Sequence, residues 1–209
     1  MKLYRYTLTF DSGFAPNPYG GYCTLATCKP RVREHAQVGD WVAGFGSASR
    51  GRSGQLVYAM RVAETMTFEE YWDDPRFAAK KPRCGSRYEE TCGDNVYRRA
   101  PDGSWLQESC FHCSDHMGND LRVNRVLVAT EFVYYGDQSI DLPFEIASLG
   151  ERHFAGIRNY RVNGLSNDGV QMVIAWLQDL CSDGGVVGSP AQRQQIIAAG
   201  QDTGLSRRC

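Results

Sequence analysis

Residues 11–21 read DSGFAPNPYGG, and no regular element can run through them. Pro16 and Pro18 lack an amide hydrogen, and each pushes the residue before it out of the helical region. Gly13, Gly20 and Gly21 permit tight turns and close backbone approach on either side. The segment must be a loop, and loops of this kind carry function when a rigid scaffold holds them. Two further stretches extend it. Cys23-Thr24-Leu25-Ala26-Thr27-Cys28-Lys29-Pro30-Arg31 brings two thiols and a basic cluster, and Gly39-Asp40-Trp41-Val42-Ala43-Gly44-Phe45 is a turn into an apolar strand. Residues 11–47 are therefore the expected functional end of the molecule.

The scaffold is legible on both sides of the loop. Residues 2–10 alternate, with Leu3, Arg5, Thr7 and Thr9 on one face and Tyr4, Tyr6, Leu8 and Phe10 on the other, which predicts a strand. Pro30 suits the first position of a short helix that Gly39 closes. Strands are expected over 41–45 and 55–64, and one bent strand or two over 123–135. Thr67 and Glu70 form a capping box with Met66 and Tyr71 as its hydrophobic staple. Val170, Val173, Ile174 and Leu177 recur at helical spacing, so 168–180 is a helix, with Asp168 and Gln171 as its capping pair. Strands early and helices late give an α+β class: a curved, mainly antiparallel sheet or a small β-barrel, with flanking helices. One domain over 1–209 is expected, with 76–119 a long loop-rich insertion and 200–209 a flexible tail.

Composition enters as a constraint on partners. The formal net charge is -1, which removes any argument for non-specific binding to nucleic acid or anionic lipid. No apolar run approaches the roughly 20 residues of a membrane span, and the first residues do not form a signal peptide, so no membrane partner and a cytoplasmic setting are expected. The eight cysteines are then expected as thiols or metal ligands rather than disulfides. The densest ligand cluster is Cys110-Phe111-His112-Cys113-Ser114-Asp115-His116, with Cys84 and Cys92 as a widely spaced second pair. Zinc and an incidental thiol-rich loop both fit it, and no metal or cofactor is assigned.

Cys28-Lys29-Pro30-Arg31 sets a thiol beside two cations. At the start of a helix this would favour phosphate and lower the thiol pKa, giving an anion site or a nucleophile for a pyrimidine ring. A buried cysteine beside a solvated basic edge is the plainer reading. Arg50, Arg52, Arg83, Arg87, Arg98 and Arg99 alternate with Tyr58, Tyr88, Tyr97 and Trp105, a mixture suited to phosphates and stacked bases.

A longer string of motifs resembles a known family. Asp11, Gly13, Ala15-Pro16-Asn17-Pro18, Cys23-Thr24-Leu25-Ala26, Cys28-Lys29-Pro30, Gly39-Asp40-Trp41, Tyr71-Trp72, Pro75-Arg76-Phe77 and Gly93-Asp94-Asn95-Val96-Tyr97 resemble the nucleotide modification associated domain, second type, over about residues 3–145. Residues 29–75 also resemble, locally, the PUA-like barrels that include the EVE and ASCH domains. The first resemblance implies a role near modified DNA bases in bacteria and phages and carries no established reaction. The second implies a pocket for a base, often a modified one.

Three functional expectations result. In the first, a binding module holds a nucleotide or modified base, free or within nucleic acid. Asp11 and Asn17 read its polar edges, Trp41, Phe45 or Tyr19 stack on it, and Lys29, Arg31 and Arg50 meet phosphate. In the second, an enzyme modifies a base with Cys28 or Cys23 as nucleophile and Asp40 or Asp94 as acid/base. In the third, a phage or bacterial conflict protein sequesters a signalling nucleotide. Homo-oligomerisation is left open by all three.

Overall fold

The computed structural model describes residues 1–109, 112 and 114–202, with 198–202 by backbone only. Its strands are β1 (Leu3–Leu8), β2 (Cys23–Leu25), β3 (Trp41–Gly46), β4 (Leu56–Arg61), β5 (Glu64–Met66), β6 (Tyr97–Arg99), β7 (Trp105–Gln107), β8 (Val126–Ala129), β9 (Glu131–Tyr134) and β10 (Gly185–Val186). Its helices are α1 (Pro30–His35), α2 (Phe68–Asp73), α3 (Tyr88–Thr91), α4 (Met117–Asp120), α5 (Phe144–Ala147), α6 (Asn167–Ser182) and α7 (Arg193–Asp202).

Two sheets carry the architecture. One runs β1-β3-β4-β9-β10 and the other β2-β8-β5, while β6 and β7 form a separate hairpin. The pairings β1–β3 and β9–β10 are parallel, and the other pairs are antiparallel. The class is α+β as expected, but the sheets do not close into a barrel. The outer edge of β1 is instead occupied by the chain at Arg161, where Arg5 N–H donates to Arg161 O at 2.9 Å and Arg161 N–H to Arg5 O at 2.7 Å.

Strands β1, β3 and β4 of the larger sheet are buried on both faces, and the two faces feed different cores. Tyr4, Tyr6 and Leu8 pack with Val57, Met60, Cys23, Leu25 and Leu127, filling the space between the two sheets. Leu3, Trp41, Phe45 and Ala59 pack on the other side against Val173, Ile174 and Leu177 of α6. A third core lies beyond the small sheet, where Val126 and Val128 meet Phe68 and Tyr71 of α2 together with Phe77, Val96 and Tyr97. The order is thus helix, sheet, sheet, helix. Each buried large side chain contributes about 1.5–3 kcal/mol.

Several expectations are refined. Residues 55–64 form β4 and the start of β5, because the chain leaves one sheet at Val62 and enters the other. The α2 capping box is present: Glu70 N–H donates to Thr67 Oγ1 at 3.2 Å and Thr67 N–H to Glu70 Oε2 at 2.7 Å. The cap of α6 is Ser166, whose Oγ accepts from Gly169 N–H at 3.1 Å, rather than Asp168. Residues 76–119 are not a plain loop, since they hold α3, β6, β7 and most of α4, and their Val96 and Tyr97 are core residues. Of the expected tail, 200–202 belong to α7 and 203–209 lie outside the described residues. No helix among the described residues is long and apolar enough to cross a membrane.

Candidate functional site

The early loop is held by buried polar groups rather than by a ladder. Asn17 is buried; its Nδ2 donates to Gly13 O at 3.1 Å and Cys92 O at 2.8 Å, and its Oδ1 accepts from Lys80 Nζ at 2.7 Å. Lys80 Nζ also reaches Asn17 O, Tyr22 O and Thr24 Oγ1 at 2.9–3.0 Å. Thr24 Oγ1 and Tyr71 OH each donate to Asp94 at 2.7 Å. Burial lowers the Lys80 ammonium to about 8 and raises the Asp94 carboxyl. Asp11 is 1% exposed and accepts from Tyr134 OH at 2.5 Å and from Ala191 N–H at 3.2 Å, and desolvation raises its pKa.

Next comes a turn with unusual backbone. Cys28 and Lys29 are consecutive left-handed residues, at φ 55 and φ 40, and neither is glycine. Such residues cost about 1–3 kcal/mol each and persist only where the surroundings over-determine them. The surroundings here are explicit. Cys28 N–H donates to Asp120 Oδ1 at 2.7 Å, and Arg33 Nε donates to Cys28 O at 2.9 Å. The buried Arg33 guanidinium also reaches Asp120 O, Val123 O and Arg125 O at 2.6–2.8 Å. Asp120 in turn accepts from Tyr97 OH at 3.0 Å and pairs with His112 Nε2 at 2.8 Å.

This turn forms the wall of a cavity of about 310 Å³. Leu8 at the end of β1, Phe10 just beyond it, Phe14 from the loop, Cys28, Lys29 and His116 are among its lining residues. The rings of Phe14, His112 and His116 run side by side, with centroids 4.7 Å and 5.6 Å apart. On the far side of Lys29 and Asn119 lies a groove of about 470 Å³, lined also by Pro30, Arg31, Arg122, Asn159 and Tyr160. Lys29 Nζ stands 4.4 Å from the centre of the Tyr6 ring, and desolvation lowers its pKa.

The sequence-predicted residues divide accordingly. Cys28, Lys29 and Arg31 come together at the cavity and groove. Asp11, Asn17 and Tyr19 belong to the same loop, but the polar atoms of Asp11 and Asn17 are spent on the scaffold. Trp41 and Phe45 do not stack on anything external: both are fully buried against α6. Asp40 is no acid/base for this cavity. Its carboxylate caps the turn before β3, accepting from Lys2 N–H at 2.7 Å and Gln37 N–H at 3.0 Å. That position lies at the opposite end of β1, about 16 Å away at the rise of a strand. Arg50 is exposed and lines neither space.

Cys28 departs most from its expected chemistry. Desolvation, with the Asp120 carboxylate second, pushes its thiol up to about 11, against the weaker opposing effects of Thr27, Lys29 and Arg33. Helix α1 is too short to offset this. Cys23 and Asp94 are fully buried in the scaffold as well. Among the described residues no group of three or more His, Cys, Asp or Glu side chains could hold a metal ion. Cys92 is a buried thiol donating to Ser12 O at 3.2 Å, and Cys84 is disulfide-bonded. Cys110 and Cys113 lie outside the described residues.

Sequence reasoning missed Asp120, Asn119, Arg122 and Tyr160, which carry no local motif. It flagged His112 and His116, but as ligands of a metal rather than as walls of a cavity. No curated protein and no solved structure matches the chain. The profile of one family, nucleotide modification associated domain 2, matches residues 1–196, and the chain therefore belongs to that family.

Proposed function

We propose that the cavity between the end of β1, the Cys28–Lys29 turn and the 112–120 segment binds the base of a nucleotide, free or modified. The observation that carries this reading is the pair of left-handed, non-glycine residues Cys28 and Lys29, held by Asp120 and Arg33 at the mouth of a cavity. Maintained strain of this kind is concentrated at ligand sites. The cavity, at about 310 Å³, falls at the small end of the range for ligand sites and has the mixture such sites use, mostly apolar walls with a few convergent polar groups. Flat rings at Phe14, His112 and His116 suit a base. Membership of a family associated with nucleotide modification agrees with such a ligand.

The test is calorimetric titration of deoxynucleosides, their 5′-monophosphates and modified-base analogues against the wild type and Thr9→Trp. Thr9 lines the cavity and is exposed, so the indole fills the space without disturbing a core. Binding to the wild type and its loss in Thr9→Trp, with the circular dichroism spectrum kept, is the expected result. Equal binding by both proteins, or by neither, removes the reading.

A second reading, an enzyme that alters the bound base, is favoured by the 2.8 Å contact of His112 with Asp120 beside the cavity. A carboxylate fixes the tautomer and orientation of an imidazole and suits it to acid/base work. On this reading Cys28→Ser keeps turnover, because a thiol held near 11 is not a ready nucleophile, and His112→Gln loses it. Mass spectrometry of nucleotides before and after incubation measures both, and a Cys28→Ser variant that binds without turning over restores the cysteine mechanism.

A further inference from the structure

We infer that the groove beyond Lys29 is a phosphate subsite, and that the ligand is a mononucleotide rather than a base within a polynucleotide. This rests on the cavity reading above and adds the chemical class of the ligand. Lys29, Arg31 and Arg122 line one groove of about 470 Å³, and no acidic side chain lines it. None of the three cations is in an ion pair among the described residues, whereas Arg61, Arg76, Arg87, Arg98, Arg99 and Arg193 each sit within ion-pair distance of a carboxylate. Asn119 and Asn159 add uncharged side chains able to donate hydrogen bonds to the same wall.

The groove adjoins the base cavity, since Lys29 and Asn119 line both. Lys29 stands at the junction, where the ribose-to-phosphate link of a nucleotide would cross. Asp120, the acidic residue lining the base cavity, has its carboxylate engaged by Cys28 N–H, Tyr97 OH and His112, so it does not repel an anion freely. A polynucleotide needs a longer track of cations to follow its backbone. The three cations of this groove, gathered on one short wall with no acidic side chain beside them, match the charge of one terminal phosphate group.

The experiment pairs each of the four deoxynucleosides, and 5-methyldeoxycytidine, with its own 5′-monophosphate. A single-stranded oligodeoxynucleotide of eight residues and inorganic phosphate are the comparison ligands. Titrations use the wild type and the double variant Arg31→Gln, Arg122→Gln. Both side chains are exposed and unpaired, so the variant is expected to fold. The best monophosphate should bind at least tenfold tighter than its nucleoside, as charge-assisted hydrogen bonds to phosphate require. The gap should close in the double variant while nucleoside affinity stays within twofold, and it should narrow as salt rises. Inorganic phosphate should compete with the monophosphate but not with the nucleoside. If nucleosides bind and monophosphates gain nothing, the subsite is overturned and the base cavity stands. If the oligonucleotide binds more tightly than every mononucleotide, a base presented by a strand replaces this proposal. If neither nucleosides nor monophosphates bind, the cavity reading falls and the subsite falls with it.

Discussion

Lys29 combines an unfavourable backbone with a favourable side-chain contact. Its left-handed conformation costs stability, and its ammonium over the Tyr6 ring returns about 0.5–2 kcal/mol. The two effects separate by substitution. Lys29→Ala loses the cation and keeps the strain, while Lys29→Gly loses the cation and relieves the strain. The glycine variant should therefore be the more stable of the two, by about 0.4–1 kcal/mol, the reverse of the usual order. Urea denaturation compares them, and an alanine variant equal to or above glycine would show that the backbone there is not strained. Cys28 gives a pH prediction. Its folded pKa is raised to about 11 from 9.0, so between these values the unfolded chain releases the proton first. The contribution of this thiol to stability is complete below pH 9 and declines as pH rises towards 11. Alkylation of native Cys28 by iodoacetamide, followed by peptide mass spectrometry, should stay slow through pH 9 and accelerate only above it. Rapid labelling at pH 7 would contradict the desolvation account.

Among the elements, short pieces hold because buried polar groups tie them together. Helix α2 spans Phe68–Asp73, too short to persist on propensity alone, and it depends on its cap and on Phe68 and Tyr71 in the third core. Thr67→Ala should cost about 1 kcal/mol. The link between the early loop and β2 is stronger. Lys80→Met keeps the aliphatic stem but leaves the oxygens of Asn17, Tyr22 and Thr24 without their donor, next to the buried Asp94. A cost of about 3–5 kcal/mol is expected, as for breaking a buried charged network, and equilibrium urea unfolding reads it. A cost under 1 kcal/mol would show that these oxygens do not depend on Lys80 for their hydrogen bonds.

At the scale of the whole molecule, the C-terminal segment completes the N-terminal loop. Gln192 Oε1 accepts from Asp11 N–H, Gln192 N–H donates to Asp11 O at 3.0 Å, and Ala191 N–H donates to the Asp11 carboxylate. Ser189 O accepts from Asp137 N–H at 2.7 Å, fixing the same segment to the turn after β9. Deleting residues 189–209 exposes or orphans these groups. The truncated chain should lose about 1–3 kcal/mol or more, and its amides over 11–15 should exchange faster by mass spectrometry. Unchanged exchange there would show that Tyr134 alone holds Asp11.

Local rules were enough for much of the chain. The two-residue period of β1, the Thr67–Glu70 box, Pro30 at the start of α1 and the apolar stripe of α6 each follow from interactions within a few residues, and each is present. The prolines of residues 11–21 likewise forced a loop. The identity of Cys28, Lys29 and Arg31 as a cluster was visible because they are adjacent in the chain. The opposite wall was not. Asp120, Arg122 and Tyr160 reach the site from positions about 90 to 130 residues downstream, and nothing in their neighbours marks them. Trp41 and Phe45 fit a stacking role in sequence as well as a core one, because an aromatic side chain looks the same there whether it meets a ligand or α6. Which face of β3 is covered, and by what, depends on a helix more than 120 residues later. The sign of the Cys28 pKa was also a tertiary outcome: adjacent cations favour the thiolate, and burial beside Asp120 outweighs them because removing a charge from water costs more than two partly shielded neighbours return.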